Sequence, residues 1–248
     1  ACRICNGNCQ GASEGSKVLD FQPGPLQSGK FYFDIGSAGS ATLVIQTLLP
    51  ALFLADKPST VTVTGGTHNP LAPPFDFLAD TFLPAIATAG FVGGCQLERF
   101  GFFPAGRGKI TLHIQPRQRD AEEQKIINFC QPYGEFQIRA TIYTAKLPVQ
   151  IAQRQERLLR HSPLNIHNIQ HIEVTDCDGP GNCVVIRICG KNRMTVFAAF
   201  GMRGKPSHQV INEVVGLAKD FLASGAGVDR FLADQLLIYM AISKAGCY

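Results

Sequence analysis

A chain of 248 residues, 45% of them hydrophobic and 17% charged, can bury a sizeable core, so its composition excludes a disordered protein. The formal net charge of +4 permits an RNA partner but is too small for a protein that coats nucleic acid without specificity. No apolar run reaches the length of about eighteen residues that a membrane span needs, and residues 1–15 lack the order of a signal peptide. We therefore expect no membrane partner and a cytoplasmic location.

The cysteines predict reduced thiols. Nine is an odd number for a disulfide framework, and Cys183 and Cys189 lie in apolar, strand-like runs. The spacing of Cys2 and Cys5 is that of half a zinc site, but the sequence has no second pair of this spacing. Structural zinc is therefore the weaker alternative.

The first half of the chain predicts a short strand and then the order β-α-β-α-β-β, with two helices on one face of a mixed sheet. The predicted strands lie at residues 17–21, 30–35, 60–64, 96–103 and 109–115, and the predicted helices at residues 41–55 and 75–89. Because no helix precedes the first strand, one face of the sheet would be uncovered, and we expect further sequence before Ala1.

The second half has a different pattern, and the polar segment 117–125 marks the predicted boundary before it. We interpret Asp176 and Asp178, in the loop 176–182, as solvated in preference to metal-bound. The chain ends at Tyr248 without the strand expected after a last helix, so truncation at both ends is expected. The predicted strands lie at residues 135–144, 172–175, 184–189 and 194–200, and the predicted helices at residues 147–159, 207–222 and 228–245.

The stretch from Asp34 to Gln46 combines a strand, a tight glycine turn and an apolar helix. Gly36 and Gly39 lie where the backbone must bend or approach something closely, and Ser40 can either cap the helix or accept a ligand. Gln46 lies in the middle of the apolar helix and needs partners for its amide. It is therefore either a satisfied core group or a ligand contact.

The last predicted helix carries a similar anomaly. Asp234 and Gln235 stand inside an otherwise apolar run, where a polar pair is costly unless its groups are satisfied. The two side chains either pair within the core or bind a ligand.

Four motifs in this order resemble those of the RNA 3′-terminal phosphate cyclase family, over essentially the whole chain. The motifs are GSAGS at 36–40 with Gln46 and Thr47, GGTHNP at 65–70 with APP at 72–74, GFFPAG at 101–106, and FLADQ at 231–235. One position departs from the family pattern, since Arg107 replaces a glycine.

The resemblance implies an α/β fold, in which repeated β-α-β-α-β-β units, similar to those of enolpyruvate transferases, carry an inserted smaller α/β domain. Residues 1–130 would hold the end of the first repeat and the whole second repeat. Residues 131–227 would form the insert, and residues 228–248 would begin the third repeat.

The resemblance also implies an activity: ATP-dependent conversion of an RNA 3′-terminal phosphate into a 2′,3′-cyclic phosphodiester, through enzyme-histidine-AMP and RNA-adenylate intermediates. The cofactors would be ATP and a divalent cation, Mg²⁺ or Mn²⁺, and the partner an RNA 3′-phosphate end. The nucleophilic histidine is expected beyond Tyr248, so no catalytic residue is assigned here and the chain alone is expected to be inactive. The alternative is a non-catalytic, cyclase-like ribosome-assembly protein.

By the same resemblance, the ATP contacts would come from Gln46 and from the FLADQ motif, which comprises Phe231, Leu232, Ala233, Asp234 and Gln235. Phe231 offers a ring for adenine, and the two glutamine amides offer donors and acceptors. Asp234 would hold the metal ion that bridges phosphate oxygens.

Overall fold

The structure is a computed structural model that describes residues 1–117, 127–243 and 246–247. The helices are α1 (Cys2–Cys5), α2 (Ala41–Leu52), α3 (Phe75–Phe77), α4 (Leu83–Ala87), α5 (Val149–Arg160), α6 (Ser207–Ser224) and α7 (Arg230–Ser243). The strands are β1 (Asn8–Gln10), β2 (Asp20–Gln22), β3 (Lys30–Asp34), β4 (Ser59–Gly65), β5 (Gly93–Arg99), β6 (Gly108–Ile114), β7 (Ile127–Asn128), β8 (Phe136–Ala145), β9 (Ile166–Glu173), β10 (Gly181–Gly190), β11 (Met194–Phe200) and β12 (Gly246–Cys247). Apart from Arg117, the predicted boundary segment lies outside the described residues.

The first four-stranded sheet has the order β3-β4-β6-β5, with β3 and β4 parallel and the other pairs antiparallel. The predicted order β-α-β-α-β-β is therefore confirmed, as is the α/β class. Side chains alternate along β4, so that Val61 and Val63 are buried in the core with Ile45 and Leu49 of α2. This alternation is the pattern expected of a strand with one covered face.

The second predicted helix, 75–89, is interrupted. A π-helical turn, Leu78–Phe82, separates α3 from α4. Pro84 lies at the start of α4 and has no backbone N–H to continue the α-helical hydrogen bonds, so the wider turn accommodates it. The segment still presents one apolar side to the core, where the buried residues include Leu78, Phe82 and Ile86.

The second four-stranded sheet has the order β11-β10-β8-β9, in which β8 and β9 are parallel and the other neighbours antiparallel. Helices α5 and α6 pack on one face of it, and Leu159 and Val214 share a core there with Ile186 of the central strand β10. Strand β9 begins at Ile166, six residues before the predicted start. Most of its side chains are exposed, so its sequence lacks a strong strand pattern.

We call residues 30–114, which contain the first sheet and its helices, the first unit, and residues 136–224, which contain the second sheet with α5 and α6, the second unit. The face of the second sheet opposite α5 and α6 packs against the first unit. Tyr143 and Val185 belong to the same hydrophobic core as Leu78 and Phe82. Helix α7 also contributes to this core through Tyr239, whose ring lies 5.1 Å from that of Phe91 and 5.5 Å from that of Phe82. The two large sheets are not hydrogen-bonded to each other, but residues of both share one hydrophobic core. The predicted domain boundaries at residues 130 and 227 therefore stay a prediction.

The interpretation of the two loop aspartates as solvated groups was incomplete. Arg99 at the end of β5 donates to Asp176 at 3.0 Å and to Asp178 at 2.6 Å. The hydrogen bond from Arg99 lowers the pKa of the Asp178 carboxyl. Arg107 lies 3.4 Å from Asp178 on the same side. These aspartates thus join the loop of the second unit to the first.

Free thiols are carried by Cys2, Cys5, Cys9, Cys95, Cys177, Cys183 and Cys189. Among the residues with assigned placement, no group of three or more His, Cys, Asp or Glu side chains is arranged to hold a metal ion. No helix in that part of the chain has the length and apolarity needed to cross a membrane.

Candidate functional site

Three of the four sequence motifs meet at one end of the first sheet. The Gly66 N–H donates to Gly39 O at 2.7 Å, and the Ala41 N–H donates to Gly66 O at 2.8 Å. The Thr67 N–H then donates to Gly101 O at 2.8 Å. A side chain at Gly66 would overlap the Asn69 amide, so the close approach of these loops requires a glycine there.

The glycine turn before α2 satisfies most of its own polar groups. Ser40 is the N-cap, and its Oγ accepts the Leu43 N–H at 3.2 Å. The Gly39 N–H donates to Ser37 Oγ at 3.2 Å, and the Thr42 hydroxyl donates to Pro73 O at 2.7 Å. Of the two roles open to Ser40, the structure therefore supports capping.

Gln46 and Gln235 are in direct contact. The Gln46 amide donates from Nε2 to Oε1 of Gln235, and both side chains are half-buried. This bond joins α2 to α7, two helices that the sequence separates widely. The Gln46 carbonyl oxygen, its second N–H and both N–H groups of Gln235 have no hydrogen-bond partner among the described residues, so the pair retains one free acceptor and three N–H donors for a ligand.

Phe231, Asp234 and Gln235 share one face of α7 because they lie three or four residues apart. The Phe231 side chain is 45% exposed, and Asp234 is exposed, with no ion pair or hydrogen bond among the described residues. The concern that Asp234 is costly to bury was therefore misplaced. Leu232 lies on the opposite, buried face and Ala233 is half-buried, so their predicted nucleotide contacts stay predictions.

A cavity of about 310 Å³ lies beside Phe231, between the end of α6, strand β11 and the start of α7. Its lining includes Phe197, Phe221 and Asp229, but Gln46 and Gln235 lie outside it. Cavities of this size are at the lower end of those that hold small ligands. The cavity and the amide pair therefore lie at different points along α7, and Phe231 begins the turn that connects them.

Asp229 is a feature of this region that the sequence analysis missed. Its Oδ1 accepts the N–H groups of Phe231 at 2.9 Å and Leu232 at 3.1 Å, so it caps α7. Its Oδ2 is buried with no hydrogen-bond partner in the part of the chain that the structure describes, and burial raises the pKa of the carboxyl. An aspartate directly before a helix is a known capping signal and would have identified it.

A second missed feature is a buried polar cluster between the two units. His68 Nε2 lies 2.8 Å from Asp76 Oδ2, and Tyr143 donates its hydroxyl to Asp76 Oδ1 at 2.8 Å. Arg187 donates to Asp76 as well and reaches Asp80 at 2.8 Å. Burial alone would raise the pKa of Asp76, but the hydrogen bond from His68 and the charge of Arg187 hold it well below its usual range.

The cluster occupies both nitrogens of His68. Its Nδ1 lies 2.8 Å from Thr67 Oγ1, while Nε2 faces Asp76. A ring so enclosed has a structural role and offers no free nitrogen to a substrate. None of the six histidines of the chain lines the cavity beside Phe231.

The sequence model described as RNA 3′-terminal phosphate cyclase matches residues 1–248, the whole chain. The chain belongs to the RNA 3′-terminal phosphate cyclase family. Proteins named RNA 3′-terminal phosphate cyclase from Koribacter versatilis, Pseudomonas fluorescens and Ralstonia nicotianae are 41%, 38% and 38% identical to it. Each alignment covers 100% of this chain and, in the same order, 69%, 71% and 70% of the relative.

The site in this cyclase-family chain fits the nucleotide and metal that the family resemblance implies. One face of α7 carries an exposed ring, a free amide group and an unpaired carboxylate, and Gln46 of α2 lies against it. The ring suits a base, the amides suit polar ligand atoms and the carboxylate suits a cation. Asp234 is a single carboxylate, and Mg²⁺ is commonly held by one or two carboxylates together with phosphate oxygens and water. At the departure from the family pattern, the Arg107 side chain is 78% exposed and turned to Asp178.

Proposed function

We propose that this chain carries the nucleotide-binding part of an enzyme that uses ATP and a divalent cation to convert RNA 3′-terminal phosphates into 2′,3′-cyclic phosphodiesters. The observation that carries the proposal is the contact between Gln46 and Gln235, which joins the two segments whose motifs resemble those of the cyclases. The membership of the chain in the cyclase family supports the RNA end as substrate.

Each group of the site has a role in this proposal. The exposed face of Phe231 stacks on the adenine, and the remaining donors and acceptor of the two glutamines orient the nucleotide. Asp234 holds the divalent cation against the phosphates, so that the transferred group is positioned and its charge neutralised. ATP supplies the adenylyl group that turns the RNA phosphate into a better target for the neighbouring 2′-hydroxyl.

We propose that the adenylyl group of ATP reaches the RNA in two steps, first as a histidine adduct of the enzyme and then as an RNA adenylate. We place the nucleophilic histidine outside residues 1–248. The enclosure of His68 by Asp76 and Thr67 supports this placement, as does the absence of histidine from the cavity lining. The chain alone is accordingly expected to bind ATP without forming the adduct.

Binding and chemistry are tested separately. Titration of residues 1–248 with ATP and Mg²⁺ in a calorimeter measures binding. The Asp234→Ala variant should weaken it, whereas Asp56→Ala, which removes an exposed carboxylate from the loop after α2, should leave it unchanged. If both variants bind like the parent chain, the site assignment is wrong.

The chemistry is tested with the longest natural protein that contains this chain, supplied with ATP, Mg²⁺ and an RNA that ends in a 3′-phosphate. The expected products are a cyclic end that resists phosphatase and a labelled enzyme-AMP adduct. If no cyclic end forms and ATP remains intact while RNA is still bound, the non-catalytic binding protein becomes the better assignment.

A further inference from the structure

A large cleft lies between the two units, and the candidate nucleotide site does not use it. Its volume is about 890 Å³, within the range of 300–1,000 Å³ that is common for ligand sites. The first unit contributes His68, Pro70 and the segment Phe102–Pro104, while the second contributes the start of α5, the segment 180–182 and residues 200–207. The cleft shares no lining residue with the cavity at Phe231.

The charged groups in the cleft all have one sign. Among the described residues, the charged side chains of its lining are Arg154, Arg203 and Lys205, and none is a carboxylate. Lys205 is engaged with Glu213 and with Phe200 O, but Arg154 and Arg203 are exposed and form no ion pair or hydrogen bond within the described ranges. Two unpaired guanidinium groups in the lining of one cleft are suited to phosphate oxygens.

The backbone adds to this positive character. Helix α6 begins at the cleft with Pro206 as its N-cap, and no side chain caps the N–H groups of its first turn. Helix α5 begins in the same way after Pro148, with Ile151 in the lining. The positive ends of two long helices therefore add to the attraction of the two arginines for an anion.

The cleft also offers an aromatic surface. Phe103 is 60% exposed, whereas its neighbour Phe102 is buried against Gly181, where a side chain would overlap the ring. Phe102 thus fixes the loop, and Phe103 projects from it. An exposed ring beside unpaired arginines is the combination used to bind single-stranded nucleic acid, because every base has a face that can stack.

We propose that this cleft binds a short single-stranded segment of RNA, with Phe103 stacked on a base and Arg154 and Arg203 on the adjoining phosphates. The inference rests on the proposed function in that RNA is the substrate, and it assigns the strand upstream of the reacting end to the cleft. A duplex is not accommodated because its bases are already stacked and their faces are closed to Phe103.

The test uses a fluorescently labelled ten-nucleotide RNA with a 3′-hydroxyl, so that no reaction is involved, and follows its anisotropy with the full chain. Phe103→Ala should weaken binding about tenfold, since one base loses the aromatic ring on which it stacks. Arg154→Ala and Arg203→Ala should each weaken binding and reduce the slope of log K against log salt by about 0.7. The controls are Phe136→Ala and Arg160→Ala, which remove an exposed ring and an exposed charge outside the cleft.

Crosslinking gives a measurement that does not depend on the variants folding well. The same RNA with a photoreactive uridine should crosslink to peptides that contain Phe103 or Arg203, and a matching duplex should not. Crosslinks confined to other peptides, or equal losses in the cleft and control variants, would overturn the proposal.

Competition separates this inference from the proposed function. ATP should not displace the labelled RNA, because the two sites share no lining residue. Complete displacement by ATP would refute a separate RNA site. If ATP fails to bind at all while the cleft variants lose RNA as expected, the nucleotide assignment fails and the cleft assignment stands. If inorganic polyphosphate displaces the RNA as well as unlabelled RNA does, the role of Phe103 is refuted.

Discussion

Removal of the Asp76 carboxylate should strongly destabilise the fold, because this side chain lies at the contact between the two units and accepts hydrogen bonds from both of them. Its side chain is 3% exposed and accepts hydrogen bonds from His68, Tyr143 and Arg187. In Asp76→Ala, the Arg187 side chain, which is 16% exposed, keeps Asp80 as its one carboxylate partner. The Tyr143 hydroxyl loses its acceptor. Breaking a buried ion pair on one side costs about 3–5 kcal/mol.

This loss corresponds to a fall in Tm of roughly 6–20 °C for a chain of this size. The chain contains no tryptophan, so far-ultraviolet circular dichroism during urea and thermal unfolding is the suitable assay. The matched control is Asp80→Ala, which removes a carboxylate that is 34% exposed from the same arginine and should cost at most about 1 kcal/mol. Adding Arg187→Met to Asp76→Ala should recover part of the loss, because the uncompensated charge is then absent.

A loss of unfolding free energy in Asp76→Ala that is no larger than in Asp80→Ala would contradict this prediction. That result would mean that water or local rearrangement satisfies Arg187 and Tyr143 as well as Asp76 does. It would also mean that the apolar core alone holds the second sheet against the helices of the first unit.

Further predictions concern pH, the helix cap and the amide pair. The pKa of Asp76 is lower in the folded chain than in the unfolded chain. Its contribution to the free energy of unfolding is therefore fully present above the unfolded-state pKa of about 4, and it is lost as the pH falls toward the folded-state pKa. Urea titrations should accordingly show that the difference in unfolding free energy between the parent chain and Asp76→Asn becomes smaller below about pH 4. Asp229→Ala should lower the free energy of unfolding by about 1 kcal/mol, because the α7 cap is lost. Asp229→Asn should lower it less, because this variant keeps the Oδ1 acceptor and removes a buried charge. Thermal unfolding at pH 7 would rank the two variants. Gln235→Leu should weaken ATP binding at least about fivefold, because it removes amide hydrogen bonds. The control in the same calorimetric titration is Thr47→Ala, which changes an exposed residue of α2, and an equal loss in this control would contradict the prediction.

The sequence predicted the elements whose patterns are strong. Helix α2 begins at Ala41 as expected, because a serine cap precedes a long apolar run, and strand β11 has both of its predicted ends. Strand β9 was placed too late, because its exposed polar residues mask the half-buried isoleucines. Periodicity reports burial, so an edge strand with little burial gives little signal.

The contact between Gln46 and Gln235 agrees with the sequence analysis, in which their polarity within apolar helices singled both residues out and the family resemblance placed them in one site. The cluster around Asp76 could not be found in the same way. Its partners lie 67 and 111 positions further along the chain, at Tyr143 and Arg187, and nothing local in the sequence links them. Contacts of this kind depend on how the two sheets pack, which a single sequence does not reveal.

The amide pair that joins α2 to α7 has a consequence for how the site responds to its surroundings. Neither glutamine titrates, and a hydrogen bond between neutral groups is not screened by salt as an ion pair is. This link between the two helices should therefore persist in acid, in base and at high ionic strength. Any dependence of nucleotide binding on pH would then arise from other groups, namely the phosphates of the nucleotide and the Asp229 cap of α7, whose pKa is raised by burial.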